Sequence, residues 1–565
     1  MRKSSKIHAM PMVVIAVTLT VSATACSNSP DTAKPAFASV ADYATQKVTW
    51  NPCPSDYFIK SENFSAAFST KVAKCTTIKV PAVYDGSVKL PDFNIAAMVL
   101  PTTGKATKKG TLFINPGGPG ESGMEEVQWI DFPQAVRDRY DIVGFDPRGV
   151  AKSQPASGKK IGCSDVLDFT TYWTGEDSPE NQQEADLVRP SLDKYFVDCK
   201  KRSPAWWTLG TQNVVRDLEL LRIILGQSRP LNFFGSSYGT TIASEYMRMY
   251  PDTVGRMVLN SPTDNSSDDY AHEITQAKAR EAAVMRFVDG YAKAKKKSRQ
   301  QVENMMLQVR QWADDNKMMG FLGLKAFGDG SPARLSTEYM FTHGIMALTY
   351  YDIKEAQEAF NTAFDAAYTD KWLGYFEFHA MNLDGYDPQP MYKAFADNKP
   401  YSLKNLVRNN SFEIMTMVNG MDSDGRDLHT KAERRAQDVK VRAAAPFIAA
   451  LEANDGKFEN LPDQPGNDWS WEAFESAAIP DPPKSIAARV NESGKVVMVI
   501  GSRFEATTPY SFAEATAIAL KSHLITYEGS GHAPLLSVKN ACLEEIFTHY
   551  LVTDFLPSSP VSCKA

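Results

Sequence analysis

The residues that most clearly indicate chemistry are Ser237 and the glycines two residues before and after it, in the stretch Gly235-Ser236-Ser237-Tyr238-Gly239. An apolar run precedes this stretch, and a helical pattern over 239–251 follows it. A sharp turn from strand to helix needs glycine on both sides, because larger side chains would collide there. Such a turn lifts the central hydroxyl out of the sheet and places it at a helix N-terminus. The spacing therefore predicts Ser237 as a nucleophile.

A serine hydroxyl needs an adjacent base before it can attack, and an acid must orient that base. On a strand–turn–helix serine the acid and then the histidine follow later in the chain. His532 fits the base, because it comes directly after the last predicted strand and next to a glycine. Glu505, after the preceding strand, is the predicted acid, and Asp264 is the competing candidate.

A glycine-rich loop over 115–123 follows an earlier predicted strand. Glycines let backbone N–H groups approach a ligand closely. In serine hydrolases one oxyanion donor comes from such a loop, and the other comes from the residue after the nucleophile. These positions predict the backbone amides of Gly118 and Tyr238 as donors. The alternatives are a plain turn or a phosphate loop, although no Gly-Lys-Ser/Thr sequence supports a nucleotide site.

The composition of the chain limits the partners and cofactors that we expect. The chain has 565 residues, of which 43% are apolar, and this is enough for a substantial core. Its 61 Lys and Arg against 67 Asp and Glu give a net charge of −6, so nucleic acid is not an expected partner. The sequence has no metal-binding motif, and this chemistry needs no cofactor, so we expect none.

The N-terminus has the features of an export signal. Arg2, Lys3 and Lys6 precede a short apolar run, 12–21, and small residues follow it. We therefore predict a signal peptide over 1–25 and a tether over 26–45. Cys26 follows Ala-Thr-Ala, which suggests a lipoprotein cleavage box, and ordinary cleavage near Ala25 is the alternative. The expected location is extracellular or at the cell envelope, with membrane contact only through a lipid on Cys26.

Export implies an oxidising compartment in which disulfides persist. Without Cys26, six of the 7 cysteines remain, and sequence alone allows 15 pairings. They fall into three local couples, and local pairing is our hypothesis: Cys53 with Cys75, Cys163 with Cys199, and Cys542 with Cys563.

Short apolar runs rich in β-branched residues alternate with helical patterns, which favours a mostly parallel sheet covered by helices. Residues 263–478 look helical, and strand patterns return near the C-terminus. We predict a core over 46–262 and 491–565, interrupted by a helical cap over 263–490. The predicted strands are 76–82, 94–101, 110–115, 140–145, 231–235, 256–260, 495–501 and 522–527.

Together these motifs resemble the tripeptidyl-aminopeptidase-like (TAP-like) branch of the prolyl-iminopeptidase-related α/β-hydrolases, which are secreted bacterial serine exopeptidases. The resemblance implies an α/β-hydrolase fold, with a mostly parallel eight-stranded sheet and a large helical cap after the sixth strand. The chain departs from the family at Glu505, where Asp is usual, and at Asn260-Ser261, where Asp-Gly is frequent. The matching stretches follow the family order: 50–53, 79–81, 115–120, 146–150, 235–239, 508–510, 531–532, Cys542 and Cys563.

The resemblance implies an aminopeptidase that acts on peptide substrates and releases short peptides through an acyl-enzyme. We expect the protein to be a monomer. A carboxylesterase on the same machinery and a non-catalytic peptide-binding lipoprotein are the alternatives. An aminopeptidase must hold a cationic α-amino group, and we predict Glu377, Asp384 and Asp387 in the cap for this role. The need for a neutral histidine predicts activity that falls below about pH 6–7.

Overall fold

The structure is a computed structural model, and it describes residues 40–565 with internal gaps. These residues belong to the unit 39–565, one of two into which the chain divides. The predicted signal peptide and Cys26 lie outside the described residues. The residues not described are 1–39, 60–63, 67, 87, 164–196, 226–228, 265–268, 316–317, 321–337, 384–386, 398, 400–408, 423–430, 453–496 and 558–559.

Eleven strands of the described chain form one sheet, in the order β1-β2-β3-β5-β4-β7-β8-β9-β10-β11, and β6 pairs with β3. Eight of them have five or more residues, and these correspond to the eight predicted strands. The other three are short additions of two or three residues. The bounds are β1 Asn51–Pro52, β2 Lys74–Val80, β3 Phe93–Leu100, β4 Gly110–Asn115, β5 Tyr140–Phe145, β6 Gln154–Pro155, β7 Leu231–Ser236, β8 Val254–Asn260, β9 Val497–Ser502, β10 His523–Tyr527 and β11 Val561–Cys563.

The sheet is mostly parallel, as predicted. The pairs from β5 through β4 and β7 to β11 are parallel, whereas β1, β2, β3 and β6 pair in antiparallel fashion. Strands β7 and β9 are buried along their whole length, which explains why most of their residues are apolar. Because parallel strands share one direction, the residues that follow β7, β8, β9 and β10 meet at one edge of the sheet.

Helices cover both faces of the sheet. Phe233 and Phe234 point to opposite faces and belong to two separate hydrophobic cores. The first of these cores includes residues of the helices before and after β7. The helices outside the insertion are α1 Val40–Ala44, α2 Gly123–Trp129, α3 Gln134–Arg137, α4 Thr211–Leu225, α5 Tyr238–Met249, α15 Tyr510–Ala519, α16 Pro534–Ser537 and α17 Ala541–Thr553.

The segment between β8 and β9 is helical in its described part, and it has a third hydrophobic core of its own. Phe287 and Phe360 stack there with ring centroids 5.1 Å apart. The predicted end of the cap, at 490, lies outside the described residues. No helix of the described chain is both long enough and apolar enough to cross a bilayer. The helices of the insertion are α6 Asp269–Lys295, α7 Arg299–Asp314, α8 Glu338–Leu348, α9 Ile353–Asp370, α10 Gly374–Leu383, α11 Gln389–Ala396, α12 Ser411–Asp422, α13 Lys431–Ala444 and α14 Pro446–Leu451.

The end of the predicted tether belongs to the folded core. Helix α1 falls inside the range 26–45, and the Tyr43 hydroxyl donates a hydrogen bond of 2.7 Å to Asp92. The Gln46 side chain donates to the Lys79 carbonyl and accepts from its N–H, at 2.8 and 3.0 Å. The small polar composition that suggested a tether does not reveal these contacts, which depend on single side chains.

The three local cysteine couples are disulfide-bonded, which confirms the pairing hypothesis: Cys53–Cys75, Cys163–Cys199 and Cys542–Cys563. The first bond joins the residue directly after β1 to β2. The last joins the start of α17 to β11 at the edge of the sheet.

A fully buried ion pair supports the core near the glycine-rich loop. Arg148 donates from Nε to Asp217 at 2.8 Å, and its side chain is completely inaccessible to solvent. The Tyr84 hydroxyl donates to the same carboxylate at 2.7 Å. The carbonyls of Ala82 and Thr208 accept further hydrogen bonds from the guanidinium. Both charges are thus compensated without water.

Removing one partner of this pair should be costly. We expect Asp217→Ala to lower the free energy of unfolding by about 3–5 kcal/mol, because Arg148 would remain buried without a counter-charge. Urea denaturation of both proteins measures the difference. The exposed pair of Lys108 and Asp141 provides the control, and Lys108→Ala should cost no more than about 1 kcal/mol. Equal effects of the two substitutions would contradict this account.

Candidate active site

The turn that carries Ser237 is as tight as its glycines predict. Ser237 lies between β7 and α5 with φ 53° and ψ −127°, a conformation that non-glycine residues rarely adopt. A Cβ atom on Gly235 would lie 2.4 Å from the Gly239 carbonyl oxygen. A Cβ atom on Gly239 would lie 2.5 Å from the carbonyl oxygen of Asn115. Both positions therefore require glycine, and the strain is held where the hydroxyl is presented.

The glycine-rich loop contacts this turn directly. A Cβ atom on Gly117 would lie 2.9 Å from Ser237 Cβ and 3.0 Å from the Tyr238 nitrogen. Gly118 follows with φ +99°, which side chains strongly disfavour. Tyr238 begins α5, and the first amides of a helix have no acceptor within it. The structure thus brings Tyr238 and the loop that carries Gly118, the two predicted sources of oxyanion donors, to the side of Ser237.

The structure joins Glu505 to His532. The Glu505 carboxylate is 3% exposed, and its Oε1 is hydrogen-bonded to His532 Nδ1. Oε1 also accepts from the Thr508 amide at 3.2 Å, and Oε2 accepts from the Ser261 hydroxyl at 2.7 Å. Because Nδ1 of His532 is bonded to Glu505, the other ring nitrogen, Nε2, is the atom that can accept a proton.

The observed partner of the His532 ring is Glu505, whereas the observed partner of Asp264, the competing acid, is His272. The Asp264 backbone accepts a hydrogen bond from His272, whose pKa is lowered mainly by burial. The longer reach of glutamate allows Glu505 to meet Thr508, Ser261 and His532 at once. The geometry therefore favours Glu505 as the partner of the imidazole.

Asn260, at the end of β8, links the nucleophile to the histidine loop. Its carbonyl accepts from the Ser237 amide at 3.0 Å, and its side-chain amide donates to Ser236 Oγ at 3.1 Å. The same side chain accepts from the Leu535 amide at 3.1 Å, three residues after His532. Among the described residues, the Ser237 hydroxyl itself makes no hydrogen bond. Sequence reasoning saw Asn260 only as a departure from the family.

The insertion also holds the histidine loop. The His532 amide donates to the Tyr350 carbonyl at 2.9 Å, and the two rings meet edge to face with centroids 5.3 Å apart. The buried Asp352 carboxylate accepts from the Tyr527 hydroxyl at 3.0 Å and from the Ser530 amide at 3.4 Å. No motif marks Tyr350 or Asp352, so the sequence analysis missed both.

With this geometry established, comparison with known proteins places the chain. A family model for the alpha/beta hydrolase fold matches residues 110–314, and a model for TAP-like protein matches residues 463–563. A relative named serine protease Hip1, from Mycobacterium tuberculosis, is 28% identical over 92% of this chain and 91% of its own length. The tripeptidyl aminopeptidase of Streptomyces lividans is 25% identical over 94% of this chain and 89% of its own length.

The chain has the α/β-hydrolase fold, and it resembles TAP-like proteins over most of its length. Both family models match in the order that the fold requires, and the relatives cover nearly the whole chain. The protein is accordingly a serine hydrolase. A carboxylesterase B of Mycobacterium tuberculosis also matches, at 29% identity over 31% of this chain and 32% of its own length.

Four carboxyl groups lie on or near the glycine-rich loop of this α/β-hydrolase. Glu121 keeps exposed surface, and burial raises the pKa of its carboxyl, although a hydrogen bond with Ser411 opposes the shift. Burial raises the pKa of Glu125 to about 7 and that of Glu126 to about 8. Burial also raises the pKa of Asp146 to about 6, although hydrogen bonds from Ser122 and two backbone amides oppose the shift. Burial therefore disfavours the charged forms of these carboxyl groups, and a cation bound beside them would offset this cost.

The predicted cap carboxylates are less well placed. Glu377 is fully buried in the insertion, where a Cβ atom on Gly320 would lie 2.0 Å from its Oε1. Asp387 is half-buried and accepts from the Gln389 amide at 3.2 Å. Asp384 lies outside the described residues. Within the described chain, no cluster of His, Cys, Asp and Glu has the geometry of a metal site.

Substitution of Asp352 tests whether its hydrogen bonds position the loop that carries His532. We expect Asp352→Ala to lower kcat about tenfold with little change in KM, because the loop that positions His532 loses two hydrogen bonds. Asp352→Asn keeps an acceptor and should recover most of the loss. Steady-state kinetics and thermal denaturation of each variant measure these effects.

Glu358→Ala, at an exposed position of α9, the helix that Asp352 precedes, is the matched control and should leave kcat unchanged. If Asp352→Ala retains the full kcat, the contact between insertion and histidine loop has no role in positioning the base.

Proposed function

We propose that this protein is an exported serine exopeptidase, an aminopeptidase that releases short peptides from the N-terminus of its substrates. The relatives named as a serine protease and as tripeptidyl aminopeptidases support this, because they align over 92–94% of the chain. The observation that carries the proposal is the buried Glu505 carboxylate on the His532 ring, at the sheet edge that presents Ser237.

Each residue of the site has a role in the proposed reaction. Ser237 Oγ attacks the scissile carbonyl, and His532 Nε2 accepts the hydroxyl proton. The amides of Gly118 and Tyr238 donate to the oxyanion that forms. His532 then gives the proton to the leaving amine, which departs as the acyl-enzyme forms. Water, deprotonated by His532, hydrolyses the acyl-enzyme, while Glu505 stabilises the charged imidazole throughout.

Export is the second part of the proposal. The three disulfides support it, because such bonds persist in oxidising compartments. The basic start and the short apolar run are features of a signal peptide. We propose a location outside the plasma membrane, reached by ordinary cleavage near Ala25 or by lipid modification of Cys26. Mass spectrometry of the mature N-terminus distinguishes the two routes.

An esterase uses the same machinery, so the substrate must decide between the two activities. The match to a carboxylesterase, which covers 31% of the chain, supports esterase activity as the second candidate. Kinetics on aminoacyl anilides and on acyl esters, measured in parallel, separate the alternatives. An exopeptidase should show the higher kcat/KM on anilides with a free α-amino group.

Glu121 is the best-placed partner for that amino group. Its Cγ would lie 3.3 Å from a Cβ atom on Gly118, so the side chain leaves the chain beside a proposed oxyanion donor. Its exposed surface makes it accessible, whereas Glu377 is fully buried. We propose that Glu121 contributes to α-ammonium binding, with Glu377, Asp384 and Asp387 as the earlier candidates.

The assignment of the acid is directly testable. Ser237→Ala should abolish turnover, with a loss of about 10⁶-fold in kcat. Glu505→Gln should lower kcat by about 10³-fold or more, because the imidazole loses its orientation and its counter-charge. Asp264→Asn should stay within about threefold of the unsubstituted enzyme. Full activity in Glu505→Gln together with loss in Asp264→Asn would reverse the assignment.

The role of Glu121 predicts a selective effect on KM. Glu121→Gln should raise KM about tenfold for a tripeptidyl anilide with a free amino group, because a charge-assisted hydrogen bond is lost. It should leave KM unchanged for the same anilide acetylated at its N-terminus. Equal changes for both substrates would show that Glu121 does not read the amino group.

A further inference from the structure

A pocket lies behind Glu505, where α6, the first helix of the insertion, meets the loop after β9. Its volume is about 370 Å³, within the range of small-molecule sites. Helix α6 supplies one wall, and the start of α15 supplies another. The lining residues are Thr275, Lys278, Ala279, Ala282, Arg286, Arg503, Phe504, Glu505, Pro509, Tyr510 and Ser511.

The pocket is positively charged. Its described lining has three cations, Lys278, Arg286 and Arg503, against the single carboxylate of Glu505. That carboxylate is already hydrogen-bonded to Ser261, Thr508 and His532, so it is not available as a partner for the cations. The lining therefore has an excess of positive charge.

Arg286 is the cation that most needs a counter-charge. Its Nη2 donates to the carbonyl of Phe504, and its guanidinium lies 5.5 Å from the centroid of the Phe504 ring. Its Nε is buried and has no hydrogen-bond partner within the described chain. Burial lowers the pKa of Arg286, and no described carboxylate opposes that shift. A partly buried cation without an anion is unfavourable, and a bound anion would relieve this cost.

The other two cations differ in how they are compensated. Arg503 donates to the Glu528 carboxylate from two nitrogens at 3.3 Å, and its guanidinium lies 3.9 Å from the centroid of the Tyr510 ring. Lys278 is exposed and forms no ion pair with a described residue. Lys278 and Arg286 are eight residues apart, so they lie on the same face of α6 about two turns apart. Their charges are the ones left for a ligand.

Much of the remaining lining is apolar, although Thr275, Tyr510 and Ser511 add hydroxyl groups. Ala279 and Ala282 lie on the helix face between the two cations, and Phe504 and Pro509 belong to the opposite wall. A fully hydrated inorganic ion would gain nothing from these surfaces, whereas an apolar group would bury area against them. We propose that this pocket binds a carboxylate carried on an apolar body, with Arg286 and Lys278 holding the carboxylate.

Calorimetric titration of the full-length protein with N-acetyl-phenylalanine tests the site without relying on activity. We expect one molecule to bind, and the neutral N-acetyl-phenylalanine amide to bind at least tenfold more weakly. Arg286→Gln and Lys278→Gln should each raise the dissociation constant of the acid about tenfold. Lys293→Gln, at an exposed position of the same helix, is the matched control and should bind normally.

Three results would overturn the proposal: no binding of the acid at 10 mM concentration (roughly the weakest affinity of interest), equal binding of acid and amide, or unchanged binding in both variants. Titration of the Ser237→Ala protein should give the same constant as the unsubstituted protein, which separates this pocket from the failure of the proposed peptidase function.

A second variant keeps the test decisive if Arg286→Gln does not fold. Ala282→Glu places a carboxylate four residues from both Lys278 and Arg286, where helix geometry allows ion pairs. This internal anion should abolish binding of N-acetyl-phenylalanine and raise the melting temperature. Binding as tight as in the unsubstituted protein would show that the carboxylate of the ligand does not occupy this place.

Discussion

The buried carboxylate of Glu505 joins the loops that follow three neighbouring strands. A charge in this position is stable only when hydrogen-bond donors compensate it, and no single loop supplies enough of them. Ser261 donates from the loop after β8, Thr508 from its own loop, and His532 from the loop after β10. The positions of these loops are therefore interdependent. The orientation of the imidazole follows from the need to satisfy one buried charge.

The insertion takes part in this arrangement as well as lying beside it. On α6, the Gln276 side chain donates to the Thr507 carbonyl at 2.6 Å, and Arg286 donates to the loop that carries Glu505. Tyr350 and Asp352 hold the loop that carries His532. A rigid outward movement of the insertion would break contacts to both loops at once. Substrate entry that preserves catalysis must therefore leave these contacts intact, and only parts of the insertion away from them are free to move.

Sequence and structure agree where the signal is local and differ where it depends on distant contacts. Short runs rich in apolar and β-branched residues predicted all eight long strands, and the central parallel ones are mostly apolar because both of their faces are covered. The glycines around Ser237 predicted the turn, because backbone crowding there excludes other residues. Asp352 carries no such mark, since its role comes from Tyr527 and Ser530, more than 170 residues away. The ends of helices and the docking of α1 depend on similar single contacts.

The departure from the family at the end of β8 has a physical reason in this chain. The Asn260 side chain is completely buried, and it both donates and accepts hydrogen bonds. Its Nδ2 donates to Ser236 Oγ at 3.1 Å and to the Leu535 carbonyl at 3.3 Å, while its Oδ1 accepts from the Leu535 amide at 3.1 Å. A carboxylate could not donate, and it would place a second negative charge near Glu505. The amide therefore lets one strand end join Ser237 to the loop of His532, while Glu505 remains the carboxylate on the imidazole.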